Sequence, residues 1–355
     1  MPRAALLWIV APGLAACAPS LRILSMPERN DLRREAMLSL TTAIQDSDPA
    51  IRVRAIEALE QVAPQTGRPF FRELLYDDHP AVRFAAMMAA GGLRYRDAQE
   101  RIRKLADDEN PHVRIGAIFA LHRLGDTTRT SELAALLLTD PSPGVRGNAA
   151  VVLGRLGEPG AAALLGQALR DKTEAVRIQV LEAMVRLGDT SAENRLGLMG
   201  LNSSGQKMVV ALLALRASSR PAIRQLFEEQ FRSGVYDEVR LAAAAGLGRF
   251  GSDEGLAFAV DRLLHFMPSG RGADTREQET IRVMTLAAVA LEDIDRPAAL
   301  SALAETLHRP PHPTVRVAVA RSILAITGTD RSLPVAMPGP TVNRPASGHP
   351  PTDPR

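Results

Sequence analysis

Asp140-Pro141-Ser142-Pro143-Gly144-Val145-Arg146 is a turn that hands over to a helix, and its recurrence decides the fold. Proline suits the first helical position, where its missing N–H would have no partner anyway. The serine before it offers an oxygen to the free N–H groups of the first turn. Working outward from Arg146, the same pair stands at Ile51-Arg52, Val82-Arg83, Val113-Arg114, Val176-Arg177, Val239-Arg240, Ile281-Arg282 and Val315-Arg316. Gln206-Lys207 fits as a degenerate copy, and the intervals are then 31, 31, 32, 31, 30, 33, 42 and 34 residues. A period near 31 sustained over nine units marks a repeat architecture, each unit being one supersecondary element.

The helix punctuation recurs at the same offsets. Proline precedes the arginine by three at Pro49, Pro80, Pro111, Pro143 and Pro313, and Asp48, Asn110, Ser142, Thr173 and Ser203 stand at the capping position before it. Leu124-Gly125, Leu156-Gly157, Leu187-Gly188 and Phe250-Gly251 close their units, glycine supplying the left-handed cap conformation. Each unit therefore reads as a helix pair, with second helices over 49–61, 80–91, 111–123, 143–155, 174–186, 204–216, 237–249, 279–291 and 313–326. First helices fall between them, near 31–45, 128–138 and 160–169. Ala55, Ala86, Ala117 and Ala149 place small residues where neighbouring second helices must approach. One helix pair cannot bury its apolar face alone, so the pairs must stack.

The D-x-x-P-x-V-R turn, followed by an Ala/Leu-rich helix ending in L-G-D at Leu187-Gly188-Asp189, resembles the short HEAT-like repeats of phycobilisome lyase subunits. The resemblance covers most of residues 31–328. It implies an all-α, right-handed α-solenoid of about nine stacked two-helix repeats, and a role as an interaction scaffold. A lyase activity does not follow from the repeat alone.

Composition agrees with a helical interior built from Ala, Leu and Val, because apolar residues make up 46% of the chain and aromatics only 4%. The 43 basic residues nearly balance 40 acidic ones, and only Lys104, Lys172 and Lys207 among them are lysine. Acids and bases are interspersed, whereas a phosphate-tracking protein concentrates its positive charge on one surface. Nucleic acid is therefore not an expected partner.

Met1-Pro2-Arg3 and the apolar run Ala4–Gly13 form a secretory pattern too short to span a bilayer, which takes about 20 residues. Leu14-Ala15-Ala16-Cys17, holding the only cysteine in the chain, resembles the lipobox of bacterial lipoproteins. That resemblance implies a signal peptide over 1–16, a lipidated Cys17 with a spacer to residue 30, and attachment on the periplasmic side of the envelope. Ala18 in place of aspartate points to the outer membrane. An incidental cysteine behind a frayed terminus is the alternative. Residues 329–355, rich in proline, read as a disordered tail.

Two arginine rows are the candidate sites. Asp46, Asp77, Asp108, Asp140 and Asp171 each precede by six the arginines Arg52, Arg83, Arg114, Arg146 and Arg177. A matched acid and base at fixed offset reads as a structural ladder, each aspartate pairing with an arginine of its own or a neighbouring unit, since the planar guanidinium suits bidentate bridging. A basic stripe gripping an acidic partner is the other reading. Arg123, Arg155, Arg186, Arg216 and Arg249 lie nine residues after the first row, without an acid at constant offset. They are the candidate partner-facing strip, although a cation at a helix C-terminus also favours the dipole. Ala85, Met88, Gly116 and Phe119 are expected to line a shallow inner groove.

No metal, cofactor or catalytic constellation stands out. His308 and His312 are separated by Pro310-Pro311, which breaks the helix that would align them. No His-Glu dipeptide, G-x-S-x-G, P-loop or G-x-G-x-x-G occurs. The eighth unit carries a surplus at Pro268–Arg276, read as a loop that is either idle or part of a binding face. The expected function is a non-enzymatic, envelope-anchored scaffold that binds a protein or peptide. The alternatives are a lyase, or lyase chaperone, for chromophore or cofactor attachment, and a nucleic-acid-binding HEAT-like protein.

Overall fold

The computed structural model describes residues 22–158, 160–201, 205–270, 272–309 and 311–328. Cys17 and the leader before it, the cap at Ser203 and the tail 329–355 lie outside the described residues.

The first helices and their partners follow one another in strict alternation. In chain order they are α1 (Met26–Ala43), α2 (Pro49–Val62), α3 (Pro64–Leu74), α4 (Pro80–Gly92), α5 (Gln99–Leu105) and α6 (Pro111–Arg123). Next come α7 (Glu132–Thr139), α8 (Pro143–Leu156), α9 (Ala161–Ala168), α10 (Glu174–Arg186), α11 (Thr190–Leu201) and α12 (Gln206–Leu215). The last are α13 (Pro221–Ser233), α14 (Asp237–Arg249), α15 (Leu256–His265), α16 (Ala273–Ile294), α17 (Leu300–His308) and α18 (Pro313–Ile326). Odd numbers are first helices and even numbers second helices, nine pairs among the described residues. The architecture is all-α, an α-solenoid of stacked helix pairs.

Two compact units divide the chain, one over 33–179 and one over 180–326. In the first, α3 packs on α4, α5 on α6 and α7 on α8, while the second helices stack as α2, α4, α6, α8. In the second, α11 packs on α12, α13 on α14, α15 on α16 and α17 on α18, with α12, α14, α16 and α18 stacked in order.

Local chemistry sets the helix ends. Pro143 opens α8, and Gly157 closes it at φ 71°, a left-handed conformation that Cβ-bearing residues enter at a cost. Asp48 and Asn110 accept the N–H two residues on, Ala50 and His112, from the capping position. His79 does the same through Nδ1 for Ala81. Ser142 makes no such cap, and its own N–H is instead taken by Asp140 Oδ1 at 2.9 Å. At α1, Glu28 reaches back to Ser25 N at 2.8 Å and Ser25 Oγ at 2.7 Å, the return arm of a capping box. These bonds, with Arg22 beside them, hold the Glu28 carboxyl down to about 2.

Ala55, Ala86, Ala117 and Ala149 are fully buried where second helices meet. The core between layers is otherwise Leu, Ile, Val and Ala, with Phe71 and Phe227 the largest side chains wholly enclosed. The surplus of the eighth unit is mostly not a loop: α16 begins at Ala273 and runs 22 residues. Residues 273–278 lengthen the helix at its start, leaving a short connection after His265. Glu279 Oε2 accepts the N–H groups of Ser269 and Gly270 at 3.0 and 2.9 Å, folding that connection back on the helix.

Candidate functional site

Each second helix begins on one side of its layer, where the aspartate–arginine row lies, and ends on the other. Asp77 Oδ1 accepts from His79 N, Asp108 Oδ1 from Asn110 N and Asp171 Oδ1 from Thr173 N, closing a tight turn before each helix. Asp46 does the same for Asp48 N. The arginine six residues on donates Nη1 to the same aspartate's carbonyl: Arg52 to Asp46 at 2.8 Å, Arg83 to Asp77 at 3.0 Å, Arg114 to Asp108 at 2.9 Å, Arg146 to Asp140 at 2.8 Å and Arg177 to Asp171 at 2.7 Å. The rest of the guanidinium reaches the carboxylate of the following unit. Arg52 forks Asp77 at 3.0 and 2.8 Å, and Arg146 forks Asp171 at 2.6 and 2.9 Å, both across 25 residues. Arg83 reaches Asp108 through Nη2 alone, at 3.1 and 3.4 Å, and its buried Nε has no partner.

One rung is missing among the described residues. The ladder aspartate of the unit after Arg114 is Asp140, 26 residues on rather than 25, and Arg114 donates only to the carbonyls of Asp108 and Glu109. The extra residue belongs to the one 32-residue interval among the first five repeats. Arg240, at the ladder position of a unit with Gly234 where aspartate would stand, lies instead over the Phe258 ring at 4.0 Å and donates Nε to Phe231 O at 3.1 Å.

In each unit the second arginine row stands where the second helices end. Its members find acids that follow no constant offset. Arg155 Nη1 approaches Glu60 Oε1 at 3.6 Å. Arg216 Nη1 lies 2.5 Å from Asp293 Oδ2, and Arg249 Nη1 lies 3.9 Å from Asp293 Oδ1. Arg186 pairs with Glu182 on its own helix at 3.6 Å. Arg123 keeps a buried Nε without a hydrogen bond. Glu60 in one unit and Asp293 in the other are thus the carboxylates these arginines meet, and sequence periodicity does not find them. Burial pushes both carboxyls above their ordinary range, against the pull of Arg155 on one and Arg216 on the other. The ladder behaves oppositely, since the Arg146 hydrogen bonds hold Asp171 below its usual value. The most open arginines of the row are Arg186 and Arg249, with side chains 50% and 59% exposed.

The inner groove expected from Ala85, Met88, Gly116 and Phe119 is closed. All four are buried, and α4 and α6 present almost no exposed side chain along their length. Amphipathic spacing identifies an apolar helix face, but not whether another element covers it. Apolar surface is exposed elsewhere: Val235 is 88% exposed, Tyr236 beside it 49%, and Met267 82%. Arg262 Nε on α15 lies 2.8 Å from Asp237 Oδ2, tying the turn of Val235-Tyr236 to the helix that ends before Met267.

His122 Nδ1 lies 2.9 Å from Thr130 Oγ1, and Nε2 lies 2.9 Å from Glu158 Oε1, so this ring bridges two inter-helix turns. His112 meets Asn148 at 2.9 Å, and burial lowers its pKa. Among the described residues no three His, Cys, Asp or Glu side chains group to hold a metal. No helix among them is long and apolar enough to cross a membrane.

The HEAT repeat family matches this chain three times, over residues 37–98, 69–140 and 130–197. Together the matches span residues 37–197. The ladder just described lies within them, from Asp46 to Arg177. No curated protein matches the chain. Among solved structures, human deoxyhypusine hydroxylase is 21% identical, the match covering 76% of this chain and 98% of that one, with a TM-score of 0.36. The CpcE–CpcF complex of phycocyanin lyase from Nostoc is 20% identical, covering 71% and 93%, with a TM-score of 0.40. The Escherichia coli YibA protein is 16% identical, covering 75% and 96%, with a TM-score of 0.35. Likenesses this loose carry none of those proteins' chemistry to these HEAT repeats.

Proposed function

We propose that this chain is a non-enzymatic HEAT-repeat scaffold that binds a protein partner. The observation that supports it most is the exposed apolar turn of Val235 and Tyr236, tied through Asp237 and Arg262 to the helix that ends before the exposed Met267. Aromatic residues, methionine and arginine are the side chains enriched at protein interfaces. Arg186 and Arg249, the two freest members of the rim, are the charged contacts in this reading. Arg155 and Arg216 are not, because each is committed to a half-buried carboxylate.

The same reading tethers the scaffold to the bacterial envelope through lipid on Cys17, facing the periplasm, with no metal, cofactor or nucleic acid. It rests on the lipobox-like Leu14-Ala15-Ala16-Cys17 alone.

Two experiments test it. Intact mass and detergent partitioning, for the full chain beside Cys17→Ser, should show loss of residues 1–16 and gain of lipid in the wild type only. Soluble, unprocessed protein from both genes removes the envelope assignment. For binding, a partner captured by the wild type in periplasmic extract should be lost by the triple variant Val235→Ser, Tyr236→Ser, Met267→Ser. It should be weakened by Arg186→Glu with Arg249→Glu, at unchanged melting temperature. Capture indifferent to both variants sinks the surface, and a chromophore absorbance change on mixing with bilin sinks the non-enzymatic assignment.

A further inference from the structure

The ladder joins each repeat only to the next one. The rim pairs do something else: they bypass repeats. In the unit 33–179, Glu60 at the end of α2 lies across the end of α4, where a Cβ on Gly92 would come within 2.8 Å of Glu60 Oε1. Arg155, arriving from α8, meets the same carboxylate at 3.6 Å. Between them α4 and α6 touch, since a Cβ on Gly91 would stand 2.8 Å from Ala120 Cα. Enclosed on these two helices are Met88 and Phe119.

The unit 180–326 repeats the construction with other residues. Arg216 at the end of α12 passes α14 to reach Asp293 near the end of α16 at 2.5 Å. Arg249, ending α14, adds its contact at 3.9 Å. Here again a glycine permits the approach: a Cβ on Gly248 would meet Ile294 N at 2.5 Å. Each unit thus ends its second helices in a glycine, a half-buried carboxylate and an arginine from two or three pairs away.

We propose that Glu60–Arg155 and Asp293–Arg216 are clasps, each holding the second helices of its unit closed over their apolar inner residues, and that releasing a clasp loosens that unit's stack. The Glu60–Arg155 pair is built to release. A ladder carboxylate receives a forked guanidinium and a backbone N–H, whereas Glu60 has one contact at 3.6 Å in a site that disfavours its charge. Ionised, it is held mainly by Arg155.

Hydrogen exchange of the full chain, resolved by helix, tests it with three variants. Arg155→Gln removes the cation. Gly92→Ala leaves every charge in place and displaces the Glu60 side chain, at a helical position where alanine is otherwise favourable. Arg155→Lys restores a cation of similar reach. Amides of α4 and α6 are expected to exchange about fivefold faster in the glutamine and alanine variants, the scale of losing one partly exposed ion pair. The lysine variant should keep wild-type rates there, and Arg216→Gln should loosen α14 while sparing 33–179. Unchanged rates at α4 and α6, or acceleration spread evenly over all helices, would overturn the proposal.

Discussion

Arg94 occupies the place where other repeats put glycine. It lies eleven residues after Arg83, as Gly125 and Gly157 do after Arg114 and Arg146, and it adopts φ 49°. A left-handed conformation costs a Cβ-bearing residue roughly 1–2 kcal/mol, so Arg94→Gly is expected to raise stability by about 1 kcal/mol, read as a higher denaturant midpoint at unchanged slope. At the same scale, the two kinds of carboxylate respond oppositely to acid. Asp171 has a depressed pKa, so its contribution is complete above the ordinary aspartate range and is lost as pH falls through its lowered value. Glu60 has a raised pKa, so its ionised form opposes folding above that value and the opposition vanishes on acidification. Between neutral pH and about 3, the stability advantage of wild type over Asp171→Asn should shrink. Over the same range the wild type should gain on Glu60→Gln. Denaturant midpoints that move in parallel for all three proteins would contradict both assignments.

Among the elements, α14 shows how closely these helices meet. Phe227 of α13 lies against Gly246, where a Cβ would come within 2.5 Å of its ring. Phe227→Ala should therefore cost about 3–5 kcal/mol through the cavity it leaves. Gly246→Ala should also destabilise, by about 1–3 kcal/mol, because the enclosed ring has nowhere to move. Thermal melts of the two variants check this. Such details mark the limit of what the sequence discloses. The ladder was legible because its donors and acceptors sit in one short turn repeated at one spacing, and even the absent rung at Arg114 shows as an interval one residue too long. Glu60 and Asp293 were not, because their arginines come from other repeats at unequal separations. Their meeting depends on how tightly helices converge, which no local pattern encodes. The closed face of Met88 and Phe119 failed to show for the same reason. The long α16 was hidden by a different one: the surplus in the repeat interval suggested an inserted loop, while Ala273-Asp274-Thr275-Arg276-Glu277-Gln278 simply prolongs the helix.

At the scale of the whole molecule, stability in a stack of repeats is approximately a sum of repeat terms and nearest-neighbour terms. A broken rung should then be felt close to where it is broken. Asp77→Asn, which leaves Arg52 without its forked partner, is expected to speed exchange in α2 to α4 and leave residues 180–326 at wild-type rates. Equal acceleration in both units would mean that they open as one. The ladder also has a direction. Arg52, Arg83 and Arg146 each close on an aspartate 25 residues further along the chain. While the protein is being synthesised, every such arginine must wait for the next repeat to emerge before its guanidinium is satisfied. The growing chain thus carries an unmet charge at its newest repeat, and each emerging aspartate releases the repeat behind it and leaves one more waiting.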